Sequence, residues 1–234
     1  DCLEGLGRLE YPNFEVIVVD DGSTDGTGDI ARAAALDAPA RVVVSRREPG
    51  NGPATRGAAL NHATPFSRGT VIVAIDADAR VAPDFLERAM RVWQRDEGAA
   101  GLQAMKRPTN AGRSGLTAAQ SEELLMDMAS QCGRWATDGT AEFRGNGMCI
   151  RRDVLERLGG WGEAVLTEDL DMSTRLAAAG AEGGNSDILT LSNFDARAPA
   201  PVRVPETAEQ CGARSQRRMA LDRRTDLTDP PQRA

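Results

Sequence analysis

Only one lysine, one histidine and one tyrosine occur in the 234 residues: Lys106, His62 and Tyr11. Cysteine is nearly as sparse, with Cys2, Cys132, Cys149 and Cys211 scattered and no C-x-x-C pair. The chain therefore lacks the ligands of a zinc cage, and a Ser-His-Asp triad has one possible base. Isolated thiols fit a reduced compartment, so a cytoplasmic location is expected. Aromatics make up 4% of the chain, so the core must come from Ala, Val, Leu and Ile. That composition suits layers of strands and helices better than an aromatic-rich sandwich. No apolar run is long enough to cross a bilayer, and no signal-peptide pattern opens the sequence. Positive charge is also short: 28 basic against 35 acidic residues give a net charge of −7. An acidic chain is a poor partner for a nucleic-acid backbone. It can still hold a phosphorylated small molecule through a bound cation.

What is present is an alternation of short apolar runs and amphipathic segments. Leu3, Leu6 and Leu9 read as the end of a helix already under way at Asp1, so an N-terminal truncation is expected. Phe14 to Val19 reads as a strand buried on both faces, and it ends in Asp20-Asp21-Gly22-Ser23-Thr24-Asp25. A helix over 27–36, a strand over 41–45, a Gly/Pro/Asn-rich loop over 48–53 and a helix over 55–64 follow. A second strong strand, Thr70 to Ile75, ends at Asp76-Ala77-Asp78. Beyond Pro83 a helix presents Phe85, Leu86, Ala89, Met90 and Trp93 on one side. A strand over 99–105, a helix over 116–135, the loop Arg144-Gly145-Asn146-Gly147 and helices over 152–158 and 167–179 complete the pattern. Such alternation predicts an α/β fold with right-handed crossovers and a mostly parallel sheet flanked by helices. Ligands of these sheets collect beyond the carboxyl ends of the strands, where both acidic clusters fall.

Each cluster has a chemical and a plainer reading. Asp76 and Asp78, two residues apart on a turn, can reach one Mg²⁺ or Mn²⁺ and bridge it to a diphosphate oxygen. Alone they would be a solvated acidic turn. Asp20 and Asp21 can accept hydrogen bonds from a base or ribose, yet Asp-Gly-Ser-Thr-Asp is also good turn and capping sequence. Arg56, opening a helix, can grip a phosphate or remain a surface arginine. Glu168-Asp169 after Thr167 offers a general base at a helix N-terminus, or simply a capped first turn. His62 is assigned no role.

In order and spacing these segments resemble the inverting glycosyltransferases of family 2, whose fold is GT-A. The matching text is Tyr11-Pro12-Asn13-Phe14 through Asp20-Asp21-Gly22-Ser23, Arg56-Gly57-Ala58-Ala59-Leu60-Asn61, and Gly69-Thr70 through Asp78. It continues with Phe143-Arg144-Gly145-Asn146-Gly147, Arg151 to Leu155, Gly159-Gly160-Trp161 and Thr167-Glu168-Asp169. The polysaccharide-synthase branch, with its cellulose-, chitin- and hyaluronan-type members, is the nearest in flavour. The resemblance implies that Asp20, Asp21, Arg56 and Asp76 hold the donor nucleotide. Asp76 and Asp78 would hold Mg²⁺ or Mn²⁺, and Asp169 would deprotonate the acceptor. Gly145, Asn146, Gly147 and Glu168 would line the acceptor side. The implied partners are a nucleotide-sugar donor, UDP-linked by resemblance alone, and a glycan or lipid-linked acceptor, with a longer parent at the cytoplasmic face of a membrane.

Two departures stand against it. The family's opening strand is missing, and the branch's Gln-x-x-Arg-Trp motif is reduced to Ser215-Gln216-Arg217-Arg218. The expected organisation is a glycosyltransferase core over 1–180, a divergent C-terminal part of the core over 181–221 that lacks the next strand, and a disordered tail over 222–234. An inactive or truncated remnant that binds only nucleotide or a partner remains an alternative. A dehydrogenase is disfavoured by the lack of G-x-G-x-x-G, and a pyrophosphorylase by the lack of an early Gly-rich basic loop.

Overall fold

The computed structural model describes residues 2–95, 98–136, 141–181 and 188–191. Helices are α1 (Cys2–Leu6), α2 (Thr27–Leu36), α3 (Arg56–Ala63, extended by a 3-10 turn Thr64–Phe66), α4 (Phe85–Arg95), α5 (Gly115–Ala136), α6 (Arg152–Arg157) and α7 (Glu168–Ala181). Strands are β1 (Glu15–Asp20), β2 (Arg41–Arg46), β3 (Val71–Ala74), β4 (Gly101–Ala104), β5 (Met148–Arg151) and β6 (Ile188–Leu191). β1 and β2 form a parallel pair in register from Glu15↔Arg41 to Asp20↔Arg46. The other four are ordered β3-β5-β4-β6. β4 and β6 are parallel, whereas β5 is antiparallel to both its neighbours.

The reversed β5 follows from where the chain enters it. The Gly147 N–H donates to the carbonyl of Ala74, the last residue of β3, at 2.9 Å. β5 thus starts at the carboxyl rim and must run back down the sheet. β6 corrects the expectation of a lost strand after residue 180. Ile188 is buried and pairs opposite Gly101, so a strand is present there. The four-residue run was hidden behind a stretch rich in Gly and Asn. The altered Gln-Arg text near 215–218 and the expected tail over 222–234 lie outside the described residues.

Two apolar clusters sandwich the four-stranded sheet. Met148 and Ile150 of β5 point into one, with Phe143, Leu155, Trp161, Met172 and Leu176. Cys149 points into the other, with Phe85, Ala89, Trp93 and Leu102. This is the period-2 alternation of a strand meeting the 3.6-residue stripe of α4. Val16 to Val19 of β1 were expected to be buried on both faces; they are half-buried instead. Among the described residues no ladder joins β1 to the larger sheet. The Glu15 carboxylate makes the link, accepting the N–H groups of Arg68 and Gly69 just before β3. Hydrogen bonds from Arg68 and Arg41 hold its pKa below the usual glutamate range against the opposing effect of burial. Among the described residues, no helix is long and apolar enough to cross a membrane.

Candidate active site

β1 starts beside the entry to β3, through the Glu15 carboxylate, and each strand leads into an acidic turn. Asp76 to Ala79 form a turn closed by the Ala79 N–H to the Asp76 carbonyl at 3.0 Å. It leaves Asp76 half-exposed and Asp78 exposed.

Arg56 ties this turn to the start of α7. Thr55 caps α3, its hydroxyl accepting the Ala58 N–H at 3.3 Å. Gly57 lets the capped turn press against backbone, since a Cβ there would lie 2.1 Å from the Gly162 carbonyl oxygen. From this seat Arg56 Nη2 reaches Asp76 Oδ1 at 2.9 Å, while Nη1 donates to Glu168. Glu168 was expected on the acceptor side. It is buried (4% exposed) and faces the arginine instead.

The loop 143–147 closes the third side. The Phe143 N–H donates to Ser173 Oγ at 2.8 Å, and that hydroxyl donates to the Asp169 carbonyl at 2.8 Å. Arg144 N–H donates to Gln103 Oε1 at 2.7 Å, and Gln103 Nε2 donates to the Asn146 carbonyl at 3.0 Å. Asn146 Oδ1 accepts the Asp76 N–H at 3.1 Å. The loop, the Asp76 turn and the start of α7 at Asp169 are therefore tied together by hydrogen bonds. Gly145, at φ 73°, brings the backbone beside Asp169: a Cβ there would stand 3.6 Å from Asp169 Oδ2. Asp169 Oδ1 accepts the Leu170 N–H at 2.9 Å, and the residue is partly exposed.

Lys106 was singled out in the sequence only as the lone lysine. Its ammonium donates to the Arg144 carbonyl. Burial pushes its pKa below the usual lysine range, while the nearby Asp76, Asp169 and Asp127 carboxylates act in the opposite direction. It is thus a second cation, after Arg56, in the field of these acids.

Asp20 and Asp21 diverge. Asp20 is 1% exposed and accepts the Ser23 N–H at 2.9 Å and Arg46 Nη1 at 2.7 Å. Hydrogen bonds from Ser23, supported by Arg46, hold its pKa below the usual range despite burial. Asp21 keeps 40% of its side chain exposed and takes a fork from Arg47. Neither arginine was anticipated. The signal was available, since Arg46 pairs in register with Asp20 across the parallel ladder. Two arginines ending one strand thus face two aspartates ending its neighbour. His62, given no role, bonds through Nε2 to Ser45 Oγ at 2.8 Å.

The donor set at the rim fits a hard divalent cation. Two carboxylates come from one turn, and no group of three or more Asp, Glu, His or Cys forms a metal cage among the described residues. Mg²⁺ and Mn²⁺ are commonly held this way, by one or two carboxylates with phosphate and water completing the shell.

The chain as a whole has relatives among known proteins. The family described as Glycosyltransferase like family 2 matches residues 1–182, and the chain belongs to it. Beta-monoglucosyldiacylglycerol synthase of a Nostoc species is 38% identical over 175 residues, covering 74% of this chain and 37% of that protein. The enzyme of the same name from a Synechocystis species is 35% identical over 176 residues, covering 74% and 36%. The chain thus spans little more than a third of the length of these relatives. Among solved structures, a mannosyltransferase from Pyrobaculum calidifontis in complex with GDP-Man and Mn²⁺ superposes with a TM-score of 0.63 at 24% identity. It covers 98% of this chain and 61% of its own. S. aureus TarS in complex with UDP gives 0.57 at 21% identity, covering 82% and 53%. The fold is GT-A.

Proposed function

We infer that this chain carries the donor-binding and catalytic core of an inverting transferase. It moves a hexose from a UDP-sugar to the hydroxyl of a diacylglycerol-type lipid. The observation that carries the reaction is the Arg56 bridge. One guanidinium spans Asp76 at the donor turn and Glu168, the neighbour of Asp169. That span sets the base and the leaving-group site side by side, as a single in-line displacement requires. Asp169 takes the acceptor proton as the oxygen attacks the anomeric carbon, and the bond to the nucleoside diphosphate breaks with its electron pair. Arg56 and Lys106 place positive charge where the departing diphosphate gathers negative charge. Asp76 and Asp78 would hold Mg²⁺ or Mn²⁺, which supplies further neutralisation of the diphosphate when bound.

The lipid acceptor rests on the curated relatives, two of which make monoglucosyldiacylglycerol by name. Leu166 (92% exposed) and Leu170 lie on either side of Asp169 in sequence, an apolar border suited to a lipid. On this reading the working enzyme acts at the cytoplasmic face of a membrane, where a nucleotide-sugar donor meets a lipid acceptor. The test is transfer from radiolabelled UDP-glucose with Mn²⁺ to diacylglycerol in detergent micelles, beside β-glucan oligosaccharides as the competing acceptor. Label appearing only in the oligosaccharides would move the reading back to the polysaccharide-synthase branch. UDP failing to bind calorimetrically with Mn²⁺ would remove the donor assignment altogether.

A further inference from the structure

Arg47 is held through its guanidinium by four hydrogen bonds. It follows β2 directly and is only 5% exposed. Nε donates to Asp21 Oδ1 at 2.6 Å and Nη2 to Asp21 Oδ2 at 2.7 Å. Nη1 donates to the carbonyls of Asn51 at 3.0 Å and Pro53 at 2.8 Å. Its own N–H donates to the Asp20 carbonyl at 2.9 Å. The head of the side chain is therefore fixed from two sides, by loop 48–53 and by Asp21.

A planar fork meeting both oxygens of a carboxylate sets the plane of that carboxylate, which a point charge on a flexible stem does not do. Each Asp21 oxygen retains a second lone pair. With 40% of the side chain exposed, those lone pairs are open to a ligand. Asp20 has no such freedom, being buried against Ser23 and Arg46.

We propose that Arg47 is a positioning residue for the donor: it fixes the Asp21 carboxylate so that its free lone pairs accept N–H or O–H groups of the nucleoside. The assignment rests on the reading of Asp21 as a nucleotide contact. It also gives the loop 48–53 a purpose, because the Asn51 and Pro53 carbonyls keep the guanidinium from turning with its partner.

The test is a double-mutant cycle on UDP affinity, measured by calorimetry with saturating Mn²⁺ on Asp21→Asn, Arg47→Gln, Arg47→Lys and the Asp21→Asn/Arg47→Gln pair. Inorganic pyrophosphate with Mn²⁺ is the second probe, since it engages the Asp76 turn without a nucleoside. Asp21→Asn is expected to weaken UDP roughly tenfold, the scale of a hydrogen bond to a charged group. Arg47→Gln is expected to weaken UDP by about threefold to tenfold and to add nothing in the Asp21→Asn background. Arg47→Lys should be as weak as Arg47→Gln, and pyrophosphate affinity should be unchanged in all. If Arg47→Gln does not fold, Arg47→Lys alone and combined with Asp21→Asn completes the same cycle. Additive losses, an equal loss of pyrophosphate, or wild-type affinity in Arg47→Lys would each overturn the proposal. Wild-type UDP affinity in Asp21→Asn would instead defeat the nucleotide reading beneath it.

Discussion

Replacing Gly57 by alanine probes the seat of Arg56 without touching a charge. A Cβ at this position would lie 2.1 Å from the Gly162 carbonyl oxygen and 2.9 Å from its carbon. Both are backbone atoms, so no side chain can swing aside. Helix α3 or the 160–162 segment must retreat by more than about 1 Å to restore van der Waals contact. Overpacking of this kind destabilises by about 1–3 kcal/mol. For a chain of this size that corresponds to a fall in the thermal midpoint of roughly 3–10 °C. The retreat also pulls Arg56 from Asp76 or Glu168, so UDP affinity should fall with stability. Gly133→Ala is the matched control, because a Cβ there meets nothing within 4 Å. It lies inside α5, where alanine should stabilise by up to about 1 kcal/mol. Circular-dichroism melts of the three proteins decide the matter. A Gly57→Ala melt matching the wild type would refute the close approach and the placement of Arg56 that depends on it.

Asp169→Asn should lower turnover by about 10²–10⁴-fold while leaving UDP affinity nearly unchanged, because only the proton acceptor is lost; substantial residual transfer would place the base elsewhere. Asp78→Asn should weaken Mn²⁺-dependent UDP binding by roughly tenfold or more, since one of two charged ligands is removed. Equal affinity with and without Mn²⁺ in the wild type would contradict the metal site. Acid stability offers a further check through Asp20, whose folded pKa is depressed by Ser23 and Arg46. A depressed pKa contributes stability that is present above the unfolded value of about 4 and is lost as pH falls through the lower folded value. Asp20→Asn should therefore flatten the fall in urea-unfolding stability below about pH 4, and an unaltered pH profile would contradict the buried pair.

Periodicity and punctuation made most of the fold legible. Helix α2 spans the predicted 27–36, and α4 buries Phe85, Ala89 and Trp93 as its stripe required. Two features resisted, for physical reasons. A strand's direction is not written in its own residues, so β5 could be recognised only once the rim contact between Gly147 and Ala74 was known. Burial of β1 depends on neighbours in the sheet, and an apolar run carries no record of how many it has. At the site, carboxylates that terminate strands were legible because strand ends are predictable. Arginines were not, since their long side chains find partners far along the chain. Arg56 meets Glu168 112 residues away, and Arg47 meets Asp21 across 26.

The pairing of charges divides the carboxylates of these turns into those locked to an arginine and those left without one. Asp20 pairs with Arg46, Asp21 with Arg47, and Asp76 and Glu168 share Arg56. Asp78 and Asp169 have no ion-pair partner within 4.0 Å among the described residues. A carboxylate locked to a guanidinium is a weaker base, because protonation must first give up the pair. An exposed one keeps its lone pairs for a proton or a cation. The two unpaired acids are the ones proposed as the base and as a metal ligand, whereas the others are held by guanidinium groups. Asp76 is the intermediate case. Its single bond to Arg56 leaves an oxygen for a cation, so a divalent ion and the guanidinium should act on it together, one from each side. Arg56→Gln separates this from simple competition. If the two cooperate through a bound diphosphate, Mn²⁺-dependent UDP binding weakens. If Arg56 merely occupies the place of the ion, Mn²⁺ binding strengthens, and the bridge would have to be read as a feature of the donor-free state alone.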